Sequence, residues 1–187
     1  MGPILPGVEH RIVDRNGHEV PAGSVGELHV RGPNVMLGYY SSVEQTRAAI
    51  DADGWFNTGD LARINGQGDL YIVGRTKELI IRSGFNVYPA EVEAVLNAHE
   101  LVVQSAVVGR NVDGNEEVVA FVQLLPGAAI GVDELKSYSA GLLTSYKRPG
   151  EIVILDALPA ASTGKILKHK LRELANGSKI DPATAAG

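Results

Sequence analysis

Alternation of apolar and polar residues dominates the first seventy positions. Residues 26–32 alternate strictly between two glycines, which predicts a half-buried strand. Residues 8–14 and 18–20 flank an Asn16-Gly17 pair, which suits the tight turn of a hairpin. Residues 55–63 predict a strand, a turn and a second strand, and a further turn precedes a strand over 70–73. With one short helix expected at 42–51, capped by Ser41 or Ser42, this part is predicted to be mostly β structure.

The pattern changes after residue 74. Short β-branched runs predict strands over 78–82, 102–109, 117–124 and 152–155. Helices are expected from Pro89, over 133–143 with Asp133 as the N-cap or a first-turn acid, and over 168–175. Strands and helices mixed around one sheet make an α+β module. The two patterns predict an α+β chain with a boundary near residues 74–78.

Composition narrows the class of protein. Of 187 residues, 44% are hydrophobic and 21% charged, which is ordinary for a folded protein. No cysteine is present, so disulfides and thiolate chemistry are excluded. The net charge of -5, without a basic stripe, argues against broad nucleic-acid binding. Apolar runs are too short to span a bilayer and the start is unlike a signal peptide, so a cytoplasmic location is the default expectation.

Asp60 is the first candidate for chemistry. It follows Gly59 between two predicted strands, where its carboxylate can accept hydrogen bonds from a vicinal diol such as a ribose. The alternative is an Asp that closes a turn by bonding its own backbone, which is the commoner use of a Gly-Asp pair. The local sequence favours this structural role.

A second candidate segment runs from residue 74 to residue 89. Gly74 and Gly84 bracket a basic connector, with Arg75 and Lys77, and a short apolar strand. The segment can be a hinge that carries a cation for a diol or phosphate. It can equally be a loop, an edge strand and a helix start, and its composition favours this plainer interpretation.

The third candidate is Lys165, next to Gly164. A phosphate-binding P-loop would need glycine at position 159 and a hydroxyl at 166, but Pro159 and Ile166 stand there. Lys165 can still act as a point charge on a phosphate or carboxylate, or it can be an exposed lysine before a basic helix. The five histidines show no metal-ligand spacing, so no metal site is predicted in this chain.

Taken in order, the motifs resemble one family. They are Gly54-Trp55-Phe56-Asn57-Thr58-Gly59-Asp60-Leu61, Gly68-Asp69-Leu70-Tyr71-Ile72-Val73-Gly74-Arg75, Gly84-Phe85-Asn86-Val87-Tyr88-Pro89, Tyr146-Lys147-Arg148-Pro149 and Thr163-Gly164-Lys165. This order is similar to the C-terminal part of the adenylate-forming (AMP-binding) enzymes: acyl-CoA synthetases, luciferases and peptide-synthetase adenylation domains. The resemblance covers about residues 3–174.

The resemblance implies a domain organisation. Residues 1–74 would be the barrel-like β subdomain that ends the large N-terminal domain, and residues 75–77 the hinge, with Lys77 as its pivot. Residues 78–175 would be a mobile α+β domain with a central sheet flanked by helices, and residues 176–187 a disordered tail.

It also implies roles for single residues. Asp60 would hold the ribose hydroxyls of ATP with help from Arg75. Lys165 would bridge the substrate carboxylate and the α-phosphate during adenylation. Gly84 would lie in the loop that enters the site for thioester formation and borders the path of the CoA pantetheine arm.

Family members carry further residues upstream, including a phosphate loop, a glutamate that helps to hold magnesium, and the acyl pocket. We therefore expect a fragment of an ATP-dependent acid–thiol ligase, here an acyl-CoA synthetase, that is inactive alone and has its Mg²⁺ ligands elsewhere. Its partners would be a carboxylic acid and CoA. Apolar surface left uncovered predicts a homodimer or a domain-swapped pair.

Three other functions remain open from the sequence. An adenylation domain that serves a carrier protein is disfavoured, because no carrier domain begins after Ala175. A luciferase-type oxygenase is less common, although the motifs do not exclude it. A non-catalytic module that binds an adenylate or CoA would not need to keep Asp60, Arg75 and Lys165.

Overall fold

The computed structural model describes residues 2–177, and the chain divides into two compact units, Met1–Lys77 and Glu78–Gly187. Both units mix strands and helices, so the predicted α+β class is confirmed. The assignment of residues 75–77 as a hinge stays a prediction.

The first unit is built on a four-stranded antiparallel sheet in the order β1-β2-β3-β4. Its strands are β1 (Glu9–Val13), β2 (Gly26–Arg31), β3 (Phe56–Ile64) and β4 (Leu70–Arg75), and its helix is α1 (Val43–Ala49). A small core lies on one face of the sheet, where Ile12 pairs in register with Leu28 and both pack with Ala62. This sheet brings the ends of β3 and β4 side by side.

Two expectations for this unit were wrong. The predicted strand, turn and strand over 55–63 is one continuous strand, β3, because it pairs with β2 on both sides of Gly59. The φ of 68° at Gly59 and a bulge between Leu61 and Ala62 make the strand irregular without ending it. The predicted barrel-like form is also absent, because the four strands form an open sheet in the described part of the chain. Four strands are too few to close around a core filled with side chains.

Trp55 joins charged groups from several parts of the first unit. The guanidinium carbons of Arg11 and Arg31 lie 4.5 and 4.6 Å from its ring centroid. Arg11 also donates to Asp51 at 2.9 Å. Burial would raise the pKa of Asp51, but hydrogen bonds from the Trp55 amide and from Arg11 outweigh it and lower that pKa. The cluster fixes the chain just before β3 begins.

The second unit contains a three-stranded sheet, a separate hairpin and three helices. The sheet has the order β7-β8-β9, with β7 and β8 antiparallel and β8 and β9 parallel. Its strands are β7 (Val102–Val112), β8 (Asn115–Leu124) and β9 (Glu151–Leu155); the hairpin is β5 (Ile80–Arg82) and β6 (Phe85–Val87); the helices are α2 (Pro89–Asn97), α3 (Val132–Leu142) and α4 (Lys168–Asn176).

Alternation along β7 and β8 directs side chains to two cores. Val107, Val118 and Ala120 pack with residues of α2 and α3 on one face. Val119 and Phe121 pack with residues of α4 on the other face. Each face therefore buries side chains against helices, as the predicted central sheet flanked by helices requires.

Details of the second unit differ from the sequence prediction. A single sheet was expected, but β5 and β6 pair only with each other. The strand predicted to begin at residue 78 begins at Ile80, because Thr76–Glu78 form one 3-10 turn. Gly131 is the N-cap of α3, and Asp133 has the second of its two predicted roles, an acid in the first turn. Of the predicted tail, Asn176 ends α4, and residues 178–187 lie outside the described part of the chain.

No helix within residues 2–177 has both the length and the apolar character needed to cross a membrane.

Candidate active site

Asp60 and Arg75 face each other across β3 and β4. They are register partners of the antiparallel pair, and the Arg75 Nε lies 2.9 Å from the Asp60 Oδ1. The Asp60 amide donates to the Thr58 hydroxyl, which itself donates to the Leu28 carbonyl on β2. Asp60 therefore sits on a strand whose backbone is tied to both neighbouring strands.

The carboxylate of Asp60 is available to a ligand. It lies inside β3 and pairs with Arg75, so it does not act as the turn-closing Asp that composition favoured. Its side chain keeps 24% of its surface exposed and that of Arg75 keeps 51%. A carboxylate offers about four acceptor positions, so contact with one guanidinium leaves room for a diol.

The residues on either side of Lys77 are each held by their own unit. The Thr76 hydroxyl donates to the Glu27 carboxylate at 2.8 Å within the first unit. Glu78 accepts from Lys168 at 2.8 Å within the second unit. Lys77 itself is exposed at the last position of the first unit. Lys77 thus lies between two residues that are each bonded within their own unit, and its role as a pivot stays a prediction.

Gly84 occupies the two-residue turn between β5 and β6. Ser83 has a φ of 51° and Gly84 one of 81°, the left-handed values that a type I′ hairpin turn needs. Beyond the hairpin, Asn115 accepts from the Ser83 amide at 2.7 Å and Glu116 accepts from the Ile81 amide at 2.6 Å. The hairpin that carries Gly84 is therefore bound to the first two residues of β8.

An aromatic pair that was not predicted from the sequence borders the Gly84 turn. The rings of Phe85 and Tyr146 stack with their centroids 4.7 Å apart, and Phe85 is more than half exposed. Arg82 donates to the carbonyl of Arg148 at 2.7 Å. Phe85 and Tyr146 lie in two different motifs, so only the fold shows that these motifs meet.

Lys165 lies beside the bridge that closes a small loop. Ala160 and Ile166 form an isolated antiparallel bridge, the Ala161 amide donates to the Lys165 carbonyl, and Gly164 has a φ of 80°. The Lys165 side chain is exposed and has no ion pair or side-chain hydrogen bond within residues 2–177. Its ammonium group is therefore free to contact an external anion.

Lys168, three residues further along the chain, differs from Lys165 in its surroundings. It is mostly buried and pairs with Glu78 at 2.8 Å and with Glu93 at 2.9 Å. Burial would lower the pKa of Lys168, but hydrogen bonds to both carboxylates outweigh it and raise that pKa. The sequence could not reveal these partners, which lie 90 and 75 positions away.

Of the predicted site residues, the structure brings one pair into contact and leaves two others on separate loops. Asp60 and Arg75 are in contact within the first unit. Gly84 and Lys165 lie on two different loops of the second unit. No group of three or more His, Asp or Glu side chains suited to a metal ion occurs within residues 2–177.

Comparison with protein families supports the resemblance. Residues 91–165 match the C-terminal domain of AMP-binding enzymes, and residues 1–40 match the AMP-binding enzyme family. The two matches are independent and lie in the order that the resemblance predicts.

Individual relatives agree with this assignment. 4-Coumarate–CoA ligase-like 9 of Oryza sativa subsp. japonica is 45% identical over 175 residues, which are 92% of this chain and 32% of the relative. The indoleacetate–CoA ligase of Aromatoleum aromaticum is 42% identical over 174 residues, 92% of this chain and 34% of the relative. The chain thus spans about a third of the length of these relatives.

A solved structure shows the same fold. ATP-bound MatB from Rhodopseudomonas palustris superposes with a TM-score of 0.86 at 41% identity, over 92% of this chain and 35% of that one. Sequence motifs, family matches and fold agree, and the chain belongs to the AMP-binding, adenylate-forming enzymes, of which it corresponds to the C-terminal part.

Proposed function

We propose that this chain serves as the C-terminal part of an ATP-dependent acid–thiol ligase. The enzyme would activate a carboxylic acid as an acyl-adenylate and transfer the acyl group to CoA. The observation that carries the proposal is the exposed ammonium of Lys165, held on a closed loop without a carboxylate partner in the described residues. The CoA ligases among the relatives support the choice of reaction.

In the first step, a carboxylate oxygen attacks the α-phosphorus of ATP. The bond from that phosphorus to the bridging oxygen breaks, and pyrophosphate leaves. Negative charge develops on the phosphoryl oxygens in the transition state, and a cation placed there in advance lowers the barrier. Lys165 would supply this cation.

Asp60 and Arg75 would bind the nucleotide. The Asp60 carboxylate would accept hydrogen bonds from both ribose hydroxyls, while Arg75 fixes its orientation through the contact at 2.9 Å. Neither residue takes part in bond making, so their expected contribution is to the affinity for ATP and to its alignment.

In the second step, the thiol of CoA attacks the acyl carbon and AMP leaves. The Gly84 turn would border the path of the pantetheine arm, because it is narrow, has glycine at one of its two positions and is braced by Asn115 and Glu116. Residues 75–77 would act as the hinge between the two half-reactions, with Lys77 as the pivot.

Magnesium would accompany ATP in the complete enzyme, where it neutralises phosphate charge. Its protein ligands would lie outside this chain. The full reaction would likewise need residues that the relatives carry beyond the matched third, so we propose that the chain alone is inactive. A homodimer and a cytoplasmic location also stay predictions.

A chimeric enzyme tests the proposal. Residues 2–177 would replace the matched third of the indoleacetate–CoA ligase, and the formation of indoleacetyl-AMP and of its CoA thioester would be assayed separately. We expect both products, and neither from the ligase without that third. A folded chimera that binds ATP but makes no adenylate would contradict the proposal and favour a non-catalytic module. Adenylate without thioester would favour a different acceptor, such as a carrier protein.

A further inference from the structure

Lys168 occupies a position that the helix itself disfavours. It is the first residue of α4, and α4 has no acidic residue in its first turn and no side-chain cap. A cation at a helix N-terminus opposes the helix dipole. Lys168 is also mostly buried, which costs free energy for a charged group. Its placement therefore needs an explanation other than helix stability.

The two carboxylate partners of Lys168 explain why it is placed there. Glu78 is the first residue of the second unit, directly after Lys77. Glu93 lies on α2, and its Oε1 accepts both from Lys168 and from the Val107 amide of β7. One ammonium thus ties the start of α4 to the start of the unit and to the edge of the central sheet.

Lys168 also lies next to the base of the Lys165 loop. The Leu167 amide donates to the Pro159 carbonyl at 2.8 Å, which closes the loop one residue before Lys168. Within the loop, the Gly164 amide donates to Ala161 at 2.8 Å. The loop is short and internally bonded, so fixing its base fixes the position of Lys165.

We propose that the Lys168–Glu78–Glu93 ion network holds the Lys165 loop in place relative to the start of the second unit. Lys168 is then a positioning residue for adenylation that acts through Lys165. The role in adenylation rests on the proposed function, whereas the claim that the ion network holds the loop in place does not. A displacement of about 1 Å in a catalytic group can slow a reaction about 100-fold, so a device that fixes the loop has a direct use.

Hydrogen exchange on the 187-residue chain tests the structural part. In Lys168→Met, we expect the amides of Ala161, Gly164 and Leu167 to exchange about tenfold faster or more, because the charge-assisted bonds at the loop base are lost. Amides of the β7–β8 ladder should keep their rates. Lys168→Arg should restore protection, since a guanidinium can pair with two carboxylates.

Two further variants serve as controls for the exchange experiment. Lys170→Met removes an exposed lysine from the same helix and should leave all of these rates unchanged. Glu78→Gln removes one partner as a neutral isostere and decides the question if Lys168→Met does not fold. If the folded variants Lys168→Met and Glu78→Gln both keep the loop amides at the parent rate, the inference is wrong.

Kinetics of the chimera test the functional part. Lys168→Met should lower kcat for adenylation by at least about tenfold, with KM for ATP and for the acid within about twofold, and Lys168→Arg should recover most of the rate. If Lys165→Ala has no effect on adenylation, the proposed function is wrong. The hydrogen-exchange data would still show whether the ion network holds the Lys165 loop. If Lys165→Ala slows adenylation but Lys168→Met does not, the positioning role is refuted.

Discussion

Replacing Asp60 with Asn separates nucleotide binding from folding. The substitution keeps the shape of the side chain but removes its charge and one acceptor oxygen. Asp60 and Arg75 are a quarter and half exposed, and pairs of this kind contribute less than about 1 kcal/mol to stability. The free energy of unfolding of the chain should therefore change by no more than this.

The effect on ATP should be larger. Each hydrogen bond from a ribose hydroxyl to the carboxylate contributes about 1.5–3 kcal/mol, and an amide keeps only one acceptor oxygen. A net loss of about 2–3 kcal/mol corresponds to a rise of roughly 30-fold to 150-fold in the KM for ATP of the chimera. The KM for the acid should stay close to the parent value, because Asp60 contacts only the nucleotide in this account.

Asp69 provides a matched control. It follows Gly68 as Asp60 follows Gly59, but its carboxylate accepts from the Asn65 side chain in the turn between β3 and β4. Asp69→Asn should leave the KM for ATP unchanged. A folded Asp60→Asn variant that keeps the parent KM for ATP would refute the assignment of Asp60 to the ribose, and so would an equal rise of that KM in both variants.

Three further predictions concern the Gly84 turn, the pH dependence of stability and the association of the chain. Gly84→Ala should cost about 1 kcal/mol by urea unfolding because of its positive φ, with Gly84→Asn costing less, and an equal cost for both would be evidence against backbone strain. The lowered pKa of Asp51 stabilises the first unit above its ordinary value of 3.8, and this contribution is lost as pH falls through the folded-state pKa. The raised pKa values of Lys147, mainly from its bond to Glu91, and of Lys168 stabilise the second unit below 10.5, and this is lost as pH rises through the folded-state values. Fluorescence of the single tryptophan, which lies in the first unit, should therefore detect unfolding of that unit in acid. Hydrogen exchange in the β7–β8 ladder should detect unfolding of the second unit in alkali. If instead the first unit unfolds first in alkali and the second first in acid, the directions of both pKa effects are contradicted. Light scattering of the concentrated chain should show a dimer, and a strict monomer would rule this out.

Local pattern predicted most single elements of the fold. Pro89 correctly marked the start of α2, and apolar runs located β7, β8 and β9 within a few residues. Alternation shows which side chains share a face, but it does not show which strands pair. For this reason the strand predicted over 78–82 was placed in the central sheet, and its partner β6 was predicted as a loop.

The candidate site was predicted from motifs, while its contacts were not. The resemblance assigned Asp60 and Arg75 to the same ribose, but only the register of β3 against β4 shows that the two side chains contact each other. Lys165 and Lys168 looked alike in the sequence, since both are lysines beside apolar residues. Burial and two distant carboxylates distinguish them, and both depend on how α4 packs in the second unit.

Paired kinetics of Lys165→Ala in the chimera test the central claim most directly. Because Lys165 is exposed and unpaired in the described residues, the variant should keep its stability within about 0.5 kcal/mol. Adenylation should slow by at least about 100-fold, the scale of losing one group that stabilises developing charge. Thioester formation from supplied indoleacetyl-AMP should proceed at nearly the parent rate, and Lys170→Ala should affect neither step. Adenylation at the parent rate in Lys165→Ala would contradict the account.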